Sequence, residues 1–517
     1  MRPALIRRSL IRRSSIQRSS IQRSRKRCPP GHGERGVTMI LVALAMISII
    51  AMAALSIDVI TLYLAREEAQ RSADQAALAA ARVISLSGMT GDPSNSSLSW
   101  QAVCGGSTSP ASQVAIAVAE QSAVGGSAVP TPTVTYSAGS GASAASSTDC
   151  SGLPAAFAVN PMVTVQFTRS SLPTFFSRIW GSGGSTVSAT ATAEALNPSN
   201  SGNVGNGPTG TITPVQPRCV KPWIVPNRDP LNGTTGGGQP IKQKDGSYLY
   251  CDQAGGPGAC KSLVSTTDGS ITHSGISLNG SSANGIIGET FWLSPNCTHT
   301  GSACNPRQPQ PGANYVRAGY VQGPPNLQFV PAADPPSNPV AVPSWATGMD
   351  LYEQAIAGCD QSTVYQCGVQ STVEMGGGRG NIDFETADAV LPLIRAADLN
   401  MLNDGQDSIN NTAYPFQIVA GAATPLSGLG GIPITSSVSV VSLPIYDSAN
   451  DNIAGGGTSP VTIVGFLQVF INQVDQYGNV SVTVLNVAGC GNGTGMPVGS
   501  TPITGSSPVP VRLITPP

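Results

Sequence analysis

Val37 to Ile57 read VTMILVALAMISIIAMAALSI, an uncharged run of 21 residues dominated by aliphatic side chains. A helix needs about 20 such residues to cross a hydrocarbon core about 30 Å thick. Within lipid a helix also satisfies its backbone hydrogen bonds internally. The run therefore predicts a single transmembrane helix whose limits are Val37 and Ile57.

The charges on the two sides of this run differ in sign. Residues 1–35 carry eleven bases and one acid, Glu34, whereas the rest of the chain carries more acids than bases. Lys and Arg are enriched in the cytoplasmic flanks of membrane helices. We therefore expect a single-pass protein of the bacterial inner membrane. Its amino terminus would be in the cytoplasm, and its carboxy-terminal bulk would be in the periplasm or at the cell exterior.

The basic flank is a low-complexity segment. It consists largely of five-residue near-repeats, from LIRRS at residues 5–9 to SIQRS at residues 20–24, with no aromatic residue among the arginines. Such composition is typical of disorder. Nucleic-acid binding is disfavoured because aromatic residues are missing and a membrane span follows at once. We expect residues 1–35 to form a disordered cytoplasmic tail.

The helical pattern continues beyond the apolar run. No glycine or proline occurs until Gly88, and small residues recur at helical spacing: Ala65, Ala69, Ala73, Ala76, Ala77 and Ala80. One helix from residue 37 to residue 84 would be about 70 Å long. Residues 36–84 therefore predict a membrane helix that continues as a stalk. The alternative is cleavage, because Ala51-Met-Ala53 has the small-x-small form that signal peptidase accepts.

The same residues carry a resemblance to a known family. They are a glycine before the span, an aspartate at its exit, a tyrosine, and an alanine–aspartate run: Gly36, Asp58, Tyr63, Ala73, Asp74, Ala76 and Ala77. This pattern resembles the amino-terminal region of TadE/TadG-type proteins of the tight-adherence (Flp) pilus-assembly system. The resemblance implies that the partners are other pilus-assembly or pilin-like proteins, with the alanine-rich helix packed against pilin-like helices. Leu41 stands where pilin-type substrates usually carry Glu, so the chain resembles the anchored TadG type more than a major pilin.

Asp58 has two interpretations. An acid within a membrane segment is a functional candidate by default. An aspartate at the outer interface that faces water is the simpler interpretation, and it is the one we expect.

The sequence after the stalk predicts an α+β protein with two extracytoplasmic parts. Residues 85–196 predict a pilin-like unit with a strand at 163–167, a short helix at 172–180 and a strand at 187–193, which is also similar to the TadG-type pattern. Residues 197–217 are rich in Gly, Asn and Pro and predict a linker. The fold class is therefore a long transmembrane helix that continues into a pilin-like helix on a small sheet. A β-rich, disulfide-stapled, loop-rich domain follows.

This second domain covers residues 218–517. Its final part contains the most regular strand patterns of the chain, at 438–443, 461–474 and 480–487, with a hairpin turn at 475–479. We expect a strand at 509–514 to close the domain.

Cysteine usage agrees with export. Cys28 precedes the span and ten cysteines follow it: Cys104, Cys150, Cys219, Cys251, Cys260, Cys297, Cys304, Cys359, Cys367 and Cys490. An even number in an exported region predicts up to five disulfides. Local spacing favours the pairs 251–260, 297–304 and 359–367. Cys104 and Cys150 would then close a loop in the first extracytoplasmic unit, which leaves Cys219 to pair with Cys490.

The sequence contains no recognisable catalytic motif. Its three histidines, His32, His273 and His299, form no metal-binding spacing, and no nucleophile elbow or phosphate-binding loop occurs. We expect no cofactor, no metal, no nucleic-acid partner and no small-molecule substrate. The leading prediction is a non-enzymatic, membrane-anchored envelope protein that assists assembly, anchoring or display of a Tad/Flp-type pilus. The alternative is a secreted or surface-exposed, adhesin-like binding protein that signal peptidase releases after Ala53.

Overall fold

The computed structural model describes most of the chain beyond the basic tail. The described residues are 35–91, 100–138, 146–172, 174, 176, 181, 184–201, 215–230, 241–242, 248–249, 261–281, 284–295, 326–333, 339–360, 363–375, 382–425, 427–451, 453, 457–475, 478–490 and 502–514. The predicted tail, apart from Arg35, and most of the predicted linker lie outside them. So does most of the short helix predicted at 172–180.

A single helix, α1, spans Arg35–Leu86 and contains 52 residues. The prediction that the membrane segment and the alanine-rich stretch form one helix is therefore confirmed, and at 1.5 Å per residue the helix is about 78 Å long. It ends where the backbone turns left-handed, because Gly88 has a φ of +75°. Glycine adopts this conformation without the steric cost that a Cβ atom adds.

The first unit combines α1 with short helices and a small sheet. The helices are α2 Gln101–Cys104, α3 Pro110–Glu120, α4 Ala156–Val159 and α5 Pro198–Ser201, with 3₁₀ turns at Met89–Gly91 and Cys150–Gly152. The strands are β1 Ala123–Val124, β2 Ser127–Ala128, β3 Thr133–Ala138, β4 Ser146–Ser147, β5 Pro161–Leu172 and β6 Ser185–Ala195.

The long hairpin of β5 and β6 is the platform on which α1 packs. Met162 is opposite Glu194 at one end of the pair and Leu172 is opposite Ser185 at the other. The two strands contain the stretches predicted at 163–167 and 187–193. Alanines alternate along β6, and they form one buried cluster with the alanines of α1. Small residues on both surfaces let the helix approach the sheet closely, so the predicted helix on a small sheet is confirmed.

The second unit is rich in strands. Its helices are α6 Leu351–Ala357 and α7 Ile382–Leu393, with a 3₁₀ turn at Ser344–Ala346. The remaining strands of the chain are β7 Val215–Pro217, β8 Trp223–Pro226, β9 Ile241–Lys242, β10 Tyr248–Leu249, β11 Ile276–Gly280, β12 Ile287–Pro295, β13 Asn326–Pro331, β14 Gln370–Met375, β15 Ser408–Asn410, β16 Gln417–Val419, β17 Pro433–Ile434, β18 Val440–Tyr446, β19 Gly457–Val474, β20 Val480–Gly489, β21 Ile503–Gly505 and β22 Val511–Ile514.

Six strands of the second unit form a closed ring. They are hydrogen bonded in the order β12, β13, β8, β18, β19 and β20, and β20 also pairs with β12. Closure leaves these six strands without a free edge. Alternate residues such as Val225, Phe291 and Leu443 form one apolar cluster with residues of α6 and α7. The predicted β-rich domain is therefore confirmed.

The last strand of the chain does not close this domain, which corrects the expectation for residues 509–514. Instead, β22 pairs antiparallel with β6, placing Val511 opposite Ala195, so it belongs to the first sheet, whose order is β22-β6-β5-β3-β4. The Arg512 guanidinium also forms an ion pair with the buried Glu194. The free edge of β6 and this buried charge favour the pairing.

Three disulfides are present among the described residues. One joins Cys104 to Cys150, the pair predicted for the first unit. The others correct the predicted pairs 359–367 and 219–490: Cys219 joins Cys359, and Cys367 joins Cys490. The predicted pairs 251–260 and 297–304 lie outside the described residues.

Strand pairing explains why Cys367 meets Cys490. The N–H of Gly368 donates to the carbonyl of Ile463, and the N–H of Cys490 donates to the carbonyl of Val464. Two segments that are distant in sequence are thus aligned on neighbouring residues of β19.

Hydrogen bonds join the end of α1 to β20 of the second unit and to the segment that precedes β22. Ser85 Oγ donates to the carbonyl of Val509 at 2.7 Å, and Asn486 Nδ2 donates to the carbonyl of Ser85 at 2.9 Å. Asn197 Nδ2 donates to the carbonyl of Val487 at 3.1 Å. The carboxy-terminal end of the helix is therefore held by β20 and by the segment that precedes β22.

Candidate functional site

The first candidate site is the apolar surface of α1. Sixteen large apolar side chains are exposed between Met39 and Leu64. This is also the one helix among the described residues that is long and apolar enough to cross a membrane. From residue 39 to residue 64 the helix rises about 38 Å, which exceeds a hydrocarbon core of about 30 Å. The exposed apolar surface therefore extends seven residues past the predicted limit at Ile57.

One stripe of this segment is covered by the rest of the protein. Ala54, Asp58 and Ala65 are each no more than 5% exposed, although their neighbours along the helix are open. The backbone N–H of Phe176, in the connection between β5 and β6, lies 3.1 Å from Asp58 Oδ2 and 3.4 Å from Asp58 Oδ1. The body of the protein thus reaches α1 at the level where the predicted span ends.

This contact corrects the expectation that Asp58 faces water. Its side chain is 3% exposed and accepts a hydrogen bond from the chain itself. A buried carboxylate needs such a donor because desolvation without one is costly. Asp58 therefore fixes the β5–β6 connection against the helix.

The family-signature residues differ in their exposure. Ala73, Ala76 and Ala77 are fully buried within the chain's own first unit, which is not the packing against other pilin-like helices that the resemblance implied. Tyr63 is 65% exposed. Asp74 Oδ1 accepts from Gln70 Nε2 at 2.8 Å on the side of α1 that faces β6.

The remaining signature residue, Gly36, lies in the first turn of α1. The alanine run therefore assembles the protein itself. The apolar surface between Met39 and Leu64, which includes Tyr63, remains open.

An apolar groove of about 290 Å³ lies where the two units meet. It is bordered by Val83 and Leu86 of α1, Val114 of α3, and Phe416 and Ile418 at β16. Among the residues that the structure describes, none with a titratable side chain lines the groove, so these residues offer shape and apolar contact.

A second candidate site is a buried polar cluster in the strand-rich unit. Asp229 follows β8, His273 precedes β11, and Glu289 lies in β12. His273 Nδ1 is 3.2 Å from Asp229 Oδ2 and 3.8 Å from Glu289 Oε1. Both carboxylate side chains are fully buried, whereas that of His273 is 18% exposed. One potential ligand atom from each residue lies within 4.8 Å of the others, so the three residues could hold a metal ion.

Burial dominates the electrostatics of this cluster. Burial, together with the neighbouring Asp229 carboxylate, raises the pKa of Glu289 to about 11. The sequence predicts no metal site and no role for His273. The three residues are scattered between positions 229 and 289, and no local spacing connects them. Only the arrangement of β8, β11 and β12 brings them together.

Lys221 is a second buried charge in this unit. Its ammonium donates to the carbonyls of Ile356 at 2.5 Å and Gly358 at 2.9 Å, at the end of α6. Burial lowers the pKa of Lys221 to about 8. These bonds place residues 219–221 beside residues 356–359, which is why Cys219 meets Cys359.

Comparison with known proteins identifies the amino-terminal segment. Residues 36–83 match the family model described as "Putative Flp pilus-assembly TadE/G-like". The resemblance predicted from Gly36, Asp58 and the alanine run is confirmed for this segment. No curated protein and no solved structure matches the chain. The family match therefore covers most of α1 and does not extend into the sheets that follow it.

Proposed function

We propose that the protein is a non-enzymatic, single-pass envelope protein that assists assembly, anchoring or display of a Tad/Flp-type pilus. The pilus-related role follows from the family match at residues 36–83. In the proposed topology, the amino terminus is in the cytoplasm, α1 crosses the inner membrane, and the two sheets lie in the periplasm or at the cell exterior. Eleven bases before the span support this orientation.

The observation that carries the anchor proposal is the continuity of α1 through Ala53. Signal peptidase cleavage there would leave Leu55, Val59, Ile60 and Leu64 on the released product, each more than half exposed. A soluble product would then carry a contiguous apolar patch, which soluble monomers rarely expose. The same residues are well placed if they stay in the bilayer.

The fold also supports a role as a rigid membrane anchor. The buried alanines couple α1 to the first sheet, and Ser85 couples its end to Val509 and Asn486. A displacement of the helix would therefore move the attached body with it. Because the alanine stripe is already covered, we infer that partners contact the open side of the membrane segment or the surface of the body.

Cell fractionation with amino-terminal sequencing tests the anchor. We expect the protein in the inner-membrane fraction with α1 intact. The informative variant is Ala53→Leu, which removes the small residue that signal peptidase requires. Ala53 is exposed on α1, so a larger apolar side chain fits in lipid. Met52→Leu is the matched control at a neighbouring exposed position.

In a strain that lacks the protein, we expect wild type, Ala53→Leu and Met52→Leu to restore surface pili equally. A soluble product that begins at Ala54, together with loss of function in Ala53→Leu alone, would support the released adhesin instead. Normal pili in the deletion strain would contradict the role in pilus assembly or display.

A further inference from the structure

Three side chains that the proposed pilus role does not use converge at one buried point. They belong to separate segments: Asp229 after β8, His273 before β11 and Glu289 in β12. Backbone hydrogen bonds fix these segments, since the N–H of Asp229 donates to the carbonyl of Lys261 and the N–H of Ile286, just before β12, donates to the carbonyl of His273. The convergence is therefore part of the ring architecture.

Glu289 is the side chain of this cluster that lacks a hydrogen-bond donor among the described residues. It is fully buried, and neither carboxylate oxygen has a hydrogen-bond partner among the described residues. Its Oε1 points into the cluster, 3.8 Å from His273 Nδ1. A buried carboxylate without a donor or a cation carries the full desolvation cost of its charge. The second carboxylate, from Asp229, adds to that cost.

The spacing of the three groups matches that of metal ligands. Ligand atoms bound at about 2.0–2.2 Å around a tetrahedral centre are about 3.4 Å apart. The separations of 3.2 and 3.8 Å from His273 Nδ1 bracket this value, and all three candidate ligand atoms lie within 4.8 Å of one another. Two carboxylates also balance the charge of a divalent cation.

We propose that Asp229, His273 and Glu289 bind one divalent first-row metal ion, with Zn²⁺ as the best match. An imidazole nitrogen favours such an ion over Ca²⁺ or Mg²⁺, which prefer oxygen ligands. Water would complete the coordination on the partly exposed side of His273. The ion ties the end of β8 to the start of β12, so its role is to brace the ring. The proposal is independent of the pilus-related role.

Metal binding by the full chain in detergent tests the proposal. The protein is stripped with EDTA and dialysed against micromolar Zn²⁺, and bound zinc is measured by mass spectrometry. Glu289→Gln removes a ligand and keeps the shape of the side chain. Asp388→Asn is the matched control, because it makes the same chemical change at an exposed position on α7. We expect Glu289→Gln to bind one zinc ion fewer per chain than wild type and Asp388→Asn.

Thermal unfolding gives a second readout. Zn²⁺ should raise the Tm of wild type and Asp388→Asn, and it should not raise that of Glu289→Gln. Should Glu289→Gln fail to fold, His273→Gln decides the question, because His273 lies at the open side. Equal zinc content in wild type and the folded ligand variant would overturn the proposal. Stronger binding of Ca²⁺ than of Zn²⁺ would overturn the assignment of the metal class.

Discussion

The Cys367–Cys490 disulfide is predicted to be a major stabiliser of the strand-rich unit. The two cysteines are 123 residues apart, so the bond closes a long loop in the unfolded chain. The chain-entropy relation gives about 5 kcal/mol at 25 °C for a loop of this length. The pair favoured by spacing, Cys359–Cys367, would close a loop of about nine residues and contribute about 2.5 kcal/mol. The two pairings therefore predict different stabilities.

Replacing both partners with serine measures this contribution without leaving a free thiol. For Cys367→Ser/Cys490→Ser we expect the free energy of unfolding to fall by about 3–5 kcal/mol, since native-state effects commonly reduce the entropic value. Urea unfolding of the full chain in detergent, followed by tryptophan fluorescence, is the assay. Cys104→Ser/Cys150→Ser is the control, because it opens a bond of the first unit with a separation of 46 residues.

Non-additivity identifies the bonded partners. Either single replacement, Cys367→Ser or Cys490→Ser, should cost about as much as the double replacement, because each breaks the same bond. Cys359→Ser and Cys367→Ser should instead add, since they break different bonds. If the double variant Cys359→Ser/Cys367→Ser costs no more than either single one, the connectivity described above is refuted.

Three further predictions concern packing and buried polar groups. Ala77→Leu overfills the fully buried contact between α1 and the sheet and should lower stability by about 1–3 kcal/mol, as measured by thermal unfolding. Gln75→Leu on the exposed face of α1 should change stability by less than about 0.5 kcal/mol, and equal Tm values for the two variants would contradict the described packing. Burial lowers the pKa of Lys221 from 10.5 to about 8. Between these two pH values the unfolded chain binds more protons than the folded chain, so the free energy of unfolding should rise with pH. Relative to Lys221→Met, wild type should gain about 2 kcal/mol between about pH 7.5 and pH 9.5, and a flat difference in urea midpoints would argue against a buried ammonium. Tyr352→Phe leaves the buried Trp223 N–H without its hydroxyl acceptor and should lower the free energy of unfolding by about 1–3 kcal/mol. An unchanged urea midpoint would show that this hydrogen bond does not stabilise the fold.

The parts of the fold that depend on local pattern could be predicted from the sequence. The helix α1 follows from an uncharged run and an alanine repeat without a helix breaker, and its family match follows from the same residues. The strands β5, β6, β19 and β20 follow from apolar alternation. In each case the signal lies within about twenty neighbouring residues.

The parts that depend on tertiary contact could not be predicted in this way. Several such contacts join segments that are distant in sequence or unrelated in pattern. They are the pairing of β22 with β6, the disulfides of Cys219 and Cys367, and the contact between His273 and Glu289. Spacing favoured short disulfide loops because nearby cysteines meet easily in an unfolded chain. The folded sheet imposes other distances. The burial of Asp58 was missed for the same reason, since its donor belongs to residue 176.

The position of β22 constrains the order in which the protein is completed during export. In the proposed topology, α1 enters the membrane first, and β6 emerges about 300 residues before its last neighbour. Until residues 511–514 have crossed the membrane, the edge of β6 stays open to any other strand, including one from a second chain. A chain whose translation stopped before residue 511 would keep the unpaired edge of β6 exposed beside the bilayer. Completion of the first sheet therefore waits for the delivery of residues 511–514.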